Sequence, residues 1–231
     1  MARQYDVIDL EKRLSFALGL LPELSVLTLK DFGATAGKQI KADGSLVTSA
    51  DQFIESWLRR SIEASFQDDG ILGEELGETA SRSGYTWTID PIDGTDSFVK
   101  GVPLFGNMIG IKLGDGTPVL GVVQLPALGE ALYAIRGQGA FWRPRLSEPF
   151  KPCHALSKTI VGSVTVCYSD ESYFAFHKVV PFLNELRSKN WTLRTWAMAA
   201  GCRKDVAVFC DSTSNQMKSH ENLASRVAKP F

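Results

Sequence analysis

Glu74 and Glu75 follow the apolar run Ile71-Leu72-Gly73, and Asp90 and Asp93 follow another at 85–89, with Pro91 between the two aspartates. Carboxylates mounted at strand ends reach solvent yet are held stiffly, which suits hard divalent cations that take oxygen ligands. Pro91 removes a backbone donor and stiffens the turn, so Asp90, the Ile92 carbonyl and Asp93 can point at one volume. Gly94-Thr95 then opens a predicted helix, whose first amides lack intrahelical acceptors and favour an anion such as phosphate. Asp51 opens a further predicted helix. Each piece is ordinary on its own: a Glu-Glu pair is commonly solvated surface, Asp-Gly is commonly a turn, and Asp51 complements a helix dipole. Together they put cation ligands beside a phosphate site. Two cations about 4 Å apart can activate water, grip phosphoryl oxygens and stabilise a leaving oxygen.

Such residues need a scaffold. Leu10, Leu14, Leu18 and Leu21 recur at helical spacing and predict a helix over 7–32, broken or restarted at Pro22. A second helix is predicted from about Ser49, capped by Thr48 or Ser49, with Gln52 three residues after Ser49 in a capping-box arrangement. Phe53, Ile54, Trp57, Leu58 and Ile62 form its expected buried face. Segments 71–73, 85–89, 108–112, 118–124 and 130–135 read as strands, with turns at Gly114-Asp115-Gly116 and Gly137-Gln138-Gly139. This pattern predicts an antiparallel meander backed by two helices, an α+β layer arrangement. Beyond about residue 145 the character changes. Strands are expected within 160–167, 191–196 and 206–210, and a helix over 172–186 kinked at Pro181. The polar stretch 212–231 is expected to be loosely ordered. The expected division is 1–145, an α+β unit carrying the metal site, and 146–231, a C-terminal α/β part.

The bulk numbers exclude several classes. The chain has 231 residues and a net charge of −1, so it advertises neither nucleic acid nor membrane as a partner. No run of about 18 apolar residues could span a bilayer, and Met1-Ala2-Arg3-Gln4 does not begin a charged-then-apolar leader. Cys153, Cys167, Cys202 and Cys210 have no CxxC spacing and read as buried free thiols of a reducing, cytoplasmic setting. His154, His177 and His220 are scattered and suggest no zinc site.

Gly73-Glu74-Glu75 followed by Trp87-Thr88-Ile89-Asp90-Pro91-Ile92-Asp93-Gly94-Thr95 resembles the inositol monophosphatase family of lithium-sensitive, magnesium-dependent phosphatases. The segment Lys41-Ala42-Asp43-Gly44-Ser45-Leu46-Val47-Thr48-Ser49-Ala50-Asp51 is similar to the start of that family's second helix. Gly121-Val122-Val123, Pro126, Glu130 and Gly137-Gln138-Gly139-Ala140 are similar to its meander. The resemblance covers about residues 8–145. It implies a layered α/β sandwich, Mg2+ as cofactor, a small phosphorylated metabolite as substrate and a homodimer as assembly. It also implies Glu74, Asp90 and the Ile92 carbonyl as ligands of a first ion, and Asp90 and Asp93 as ligands of a second. Thr95 and Asp51 would orient the attacking water, with Glu74 counted beside them among the catalytic groups. Gly94, Thr95 and Asp93 would meet the substrate. The implied chemistry is in-line attack of water on a phosphomonoester without a covalent enzyme intermediate.

Residues 96–106, from Asp96 to Gly106, and Leu193-Arg194-Thr195-Trp196 are more similar to the histidinol-phosphatase branch, so histidinol phosphate is the preferred substrate and inositol phosphate the alternative. Asp96 stands where relatives often carry a base or Asn. An anion there repels phosphate unless it points away or meets a cation. The family also carries a further aspartate in a Trp-Asp pair, which completes the second ion's ligands. No Trp in this chain is followed by Asp. Either Ala197, after Trp196, stands in its place, or a short deletion precedes the family-like 199–209; the second alignment accounts for more residues. The terminal α/β half is therefore expected to be incomplete, and a truncated or catalytically impaired relative is the alternative expectation.

Overall fold

The computed structural model describes residues 5–34, 38–40 and 46–153, and beyond them 165–167, 180–188, 192–194 and 206–208. The chain divides into two compact units, Met1–Cys153 and His154–Phe231. The division falls beyond residue 145 because a short strand at 151–153 still pairs onto the first unit's sheet.

Helix α1 (Val7–Lys30) is capped by Asp6, whose side chain accepts the Ile8 amide at 2.8 Å. It buries Leu10, Ala17, Leu21 and Leu24 along one stripe. Pro22 does not break it. That residue lies on the exposed side of a continuous helix, where the Leu18 carbonyl it leaves without an amide can turn to water. After the short antiparallel hairpin β1 (Gln39–Ile40) and β2 (Leu46–Val47) comes α2 (Ser49–Ser65). Its capping box is built by Thr48 and Asp51, not by Ser49 and Gln52. Ile54, Leu58 and Ile62 are buried as expected, but Phe53 is 54% exposed and the carboxylate of Glu55 is inside.

The strands of the first unit are β3 (Gly70–Gly73), β4 (Glu78–Thr79), β5 (Tyr85–Asp93), β6 (Gly106–Leu113), β7 (Pro118–Leu125), β8 (Glu130–Ile135), β9 (Gly139–Arg143) and β10 (Lys151–Cys153), with the short helix α3 (Thr95–Val99) between β5 and β6. They form one sheet in the order β10-β9-β8-β7-β6-β5-β3-β4. From β5 to β8 this is the expected antiparallel meander, which β9 and β10 extend. At β5 it is interrupted, because β3 pairs with β5 in parallel. Helix faces cover the sheet's apolar face at Ile71, Trp87, Ile109, Ile111 and Val122, all buried. In the second unit β11 (Thr165–Cys167) pairs in parallel with β12 (Thr192–Arg194) and β13 (Val206–Val208). Helix α4 (Val180–Ser188) accompanies them. Pro181 is its second residue, where a missing amide costs no intrahelical bond. The expected start of that helix at 172–179 and the polar stretch 212–231 lie outside the described residues. Among the described residues no helix is long and apolar enough to cross a membrane. Cys153 is half-buried rather than buried.

A polar knot ties α1 to the sheet. The Arg13 guanidinium donates to both Asp69 carboxylate oxygens, at 2.8 and 2.7 Å. Trp87 Nε1 and Ser83 Oγ donate to the same carboxylate at 2.8 and 2.6 Å. The guanidinium also lies 4.0 Å from the centre of the Tyr85 ring. A buried charge is tolerated where its lone pairs are filled in this way, and removing one partner strands the rest. Asp69→Ala is therefore expected to cost about 3–5 kcal/mol. Lys12→Ala, which breaks an exposed pair with Asp9, should stay within about 0.5 kcal/mol. Urea unfolding checks both, and equal costs would contradict the assignment.

Candidate active site

Parallel pairing brings the first two carboxylates together. The register of β3 and β5 sets Gly73 against Ile89, so the next residues out, Glu74 and Asp90, emerge at the same edge. Their carboxyls lie within hydrogen-bonding reach of each other. Glu74 is exposed and Asp90 half-buried. One oxygen of Asp90, Oδ1, is fully buried and has no hydrogen-bond partner among the described residues. Burial first, then the charges of Glu74 and Asp93, push the Asp90 carboxyl well above the usual carboxylate range.

The chain then bulges. Asp90 pairs with Met108 and Asp93 with Gly106, so β5 holds one residue more than β6 across this step. Bulges bend a strand and re-aim its side chains. Here the carbonyl of Pro91 turns to Asn107, whose buried Nδ2 donates to it at 2.6 Å and to Thr28 Oγ1 on α1 at 3.0 Å. Asn107 had no local signal in the sequence; its role follows from the register of β6 against the bulge. Gly94 follows at φ 84°, a left-handed conformation that favours glycine, and caps α3.

Thr95 Oγ1 lies 3.1 Å from the Ile92 carbonyl and 3.4 Å from Asp51 Oδ1, donating between the two acceptors. The Ile92 carbonyl, with two lone pairs, keeps one for another partner. The other Asp51 oxygen, Oδ2, accepts the Thr48 amide at 2.8 Å and the Thr48 hydroxyl at 2.5 Å. The helix cap thus fixes the carboxylate that faces Thr95. Burial raises the Asp51 pKa, and the Thr48 bonds offset part of that rise. Asp96 meets Lys100 Nζ at 2.8 Å, which neutralises locally the anion that otherwise stands near the phosphate site.

The donor set fits a divalent cation. Among the described residues, a buried carboxylate oxygen without a donor, beside a second carboxyl, suits a positive charge that oxygen ligands can share. Among the described residues no three His, Cys, Asp or Glu side chains gather into a closed cage. Glu74 pairs closely with Asp90, while Asp93 and Asp51 act on it through their charges. An open set of few carboxylates is the kind magnesium takes, with water and phosphate oxygens filling the remaining positions. Residues 41–45 and 195–205, where other parts of the resemblance fall, lie outside the described residues.

Like-charge crowding has a measurable consequence. Protonated Asp90 stabilises the metal-free fold fully below about pH 4, and that contribution is lost as pH rises through its elevated native pKa. In EDTA at neutral pH, Asp90→Asn should raise the melting temperature by about 2–4 °C. A fall in melting temperature would contradict the crowding described.

Comparison with known proteins gives the family. A model of the inositol monophosphatase family matches residues 9–207. A histidinol-phosphatase of Chlorobaculum parvum is 37% identical over 202 residues, 84% of this chain and 75% of that protein. A histidinol-phosphatase of Mycobacterium tuberculosis is 43% identical over 129 residues, 55% of this chain and 49% of that protein, so the chain spans about half of that relative's length. Among solved structures, the Thermotoga maritima IMPase superposes with a TM-score of 0.68 at 25% identity, over 82% of this chain and 71% of that one. The chain belongs to the inositol monophosphatase family and, with it, to the phosphoric monoester hydrolases.

Proposed function

We propose that this chain hydrolyses a small phosphomonoester with Mg2+, and that histidinol phosphate is its substrate. The observation that carries the reaction is the Glu74–Asp90 pair, with Asp90 Oδ1 buried and without a hydrogen-bond partner among the described residues, on the strand that runs into the Gly94 turn opening α3. The substrate rests on the names of the two relatives above and on residues 96–106.

Glu74, Asp90 and the Ile92 carbonyl would hold one cation, and Asp90 with Asp93 a second. Bound there, divalent cations supply Lewis-acid charge to phosphoryl oxygens and make water more acidic. The chain's own groups do the rest. The amides of Gly94 and Thr95 would bind the phosphate, presented by the left-handed turn at Gly94. Thr95 Oγ1 lies within donating distance of Asp51 Oδ1, so it would pass its proton to Asp51 as it receives one from the attacking water. Asp51 is the terminal acceptor, and burial makes it a stronger base than a solvated aspartate. Lys100, by pairing with Asp96, keeps the entrance from repelling an anionic ester. Glu75 has no role assigned in the reaction.

Phosphate release should be measured on histidinol phosphate and inositol 1-phosphate with Mg2+ and with EDTA. The expected result is Mg2+-dependent release with histidinol phosphate favoured at least about tenfold in kcat/KM, equivalent to about 1.4 kcal/mol. Thr95→Val should lower kcat by about a hundredfold or more. Preference for inositol 1-phosphate would replace the substrate reading. A second reading, a catalytically impaired relative, draws on the sequence having no Trp-Asp pair. Release from neither ester by a folded protein that binds Mg2+ would favour it.

A further inference from the structure

Helix α2 faces the sheet with Ile54, Leu58 and Ile62, all 0% exposed, and among them it buries a carboxylate, Glu55, equally completely. Burying an ionised group costs several kcal/mol unless it is paired and hydrogen-bonded. Glu55 is fully engaged. Its Oε2 accepts the Glu75 amide at 2.7 Å, and its Oε1 accepts the Leu76 amide at 3.0 Å and Arg59 Nε at 2.9 Å. Two of these three bonds go to consecutive backbone amides that directly follow Glu74.

Arg59 extends the grip. One terminal nitrogen donates to the Gly77 carbonyl in a short contact, and the other to Thr79 Oγ1 at 3.4 Å. The Gly73 amide closes the same loop by donating to the Gly77 carbonyl at 3.0 Å. On the other side of Glu74, a Cβ at Gly73 would overlap the Glu55 carboxylate. The carboxylate therefore packs against the backbone before Glu74 and bonds to the backbone after it. Glu74, so framed, stands beside Asp90, whose charge repels it.

We infer that Glu55, held by Arg59, is a positioning residue for the cation site: it fixes the backbone of residues 73–77 so that the Glu74 carboxylate stays beside Asp90. This rests on the metal site proposed above. The clamp touches neither cation nor substrate; it acts through Glu74. Groups that orient a ligand from behind alter metal affinity by about 10–100-fold when removed.

The test is Mn2+ affinity of the full chain, read from the electron paramagnetic resonance signal of free Mn2+, with melting temperature in EDTA recorded alongside. Glu55→Gln keeps the size but replaces one acceptor with a donor that opposes an amide. Gly73→Ala pushes the carboxylate away without altering it. Both should weaken Mn2+ binding about 10–100-fold. Arg59→Lys, which keeps the charge but loses the fork, should weaken it about threefold or more. Ile62→Val, which loosens α2 packing away from the loop, should leave affinity within about twofold of wild type, separating positioning from general loosening. Wild-type affinity in any folded Glu55→Gln, Gly73→Ala or Arg59→Lys protein overturns the inference, as does an equal loss in Ile62→Val. A wild-type chain that binds no Mn2+ removes the metal site and this inference together. A chain that binds Mn2+ but hydrolyses no ester removes the proposed activity and leaves the positioning result standing.

Discussion

Glu74 and Asp90 meet because β3 and β5 run parallel with Gly73 against Ile89, and the two acids are the residues by which each strand leaves the sheet. Parallel strands end at the same edge, so side chains that follow them converge, whereas a hairpin would have put the acids at opposite ends. The rest of the first unit is arranged around this convergence. The fold has to hold two carboxyls within hydrogen-bonding reach of each other. Two unit charges about 4 Å apart repel by about 1 kcal/mol in water and by about 4 kcal/mol in a half-buried setting. No single hydrogen bond, worth about 1 kcal/mol net, withstands that.

The opposition comes from the layer behind the edge. Asn107 anchors the bulge at the Pro91 carbonyl and ties it to Thr28 of α1. Thr48 fixes Asp51 through the cap of α2. Glu55 and Arg59, one turn further along α2, grip the loop after β3. Asn107, Thr48 and Glu55 are buried polar groups, and each bonds at or next to an acid of the site. The fold's own stability is secured elsewhere, in the apolar contact of α1 and α2 with the sheet and in the Arg13–Asp69–Trp87 knot. Stability and site thus occupy different parts of one sheet.

Much of this was legible in the sequence. Apolar runs ending in acid at 74 and 90 marked both strand ends, and the meander from β6 to β8 followed from alternation and turn glycines. The α+β class and the family followed from the same residues. What was not legible depended on long-range pairing. Nothing near 70–73 shows that this short strand pairs with β5 in parallel rather than with its neighbour in an antiparallel hairpin. Arg13 and Asp69 are 56 residues apart in sequence, and neither reads as more than a surface charge alone. Phe53 and Glu55 were exchanged in the expected burial of α2 because hydrophobicity, not the carboxylate's backbone partners, was the visible signal. Pro22 marked a break that the exposed side of α1 did not require.

The central claim is that the Glu74–Asp90 pair is a cation site, and anomalous diffraction from Mn2+-soaked crystals addresses it most directly. The account predicts a peak within about 2.5 Å of Asp90 Oδ1, with Glu74 in contact with the same ion. A well-occupied protein with no anomalous peak at Asp90, or with its Mn2+ bound elsewhere, would contradict it.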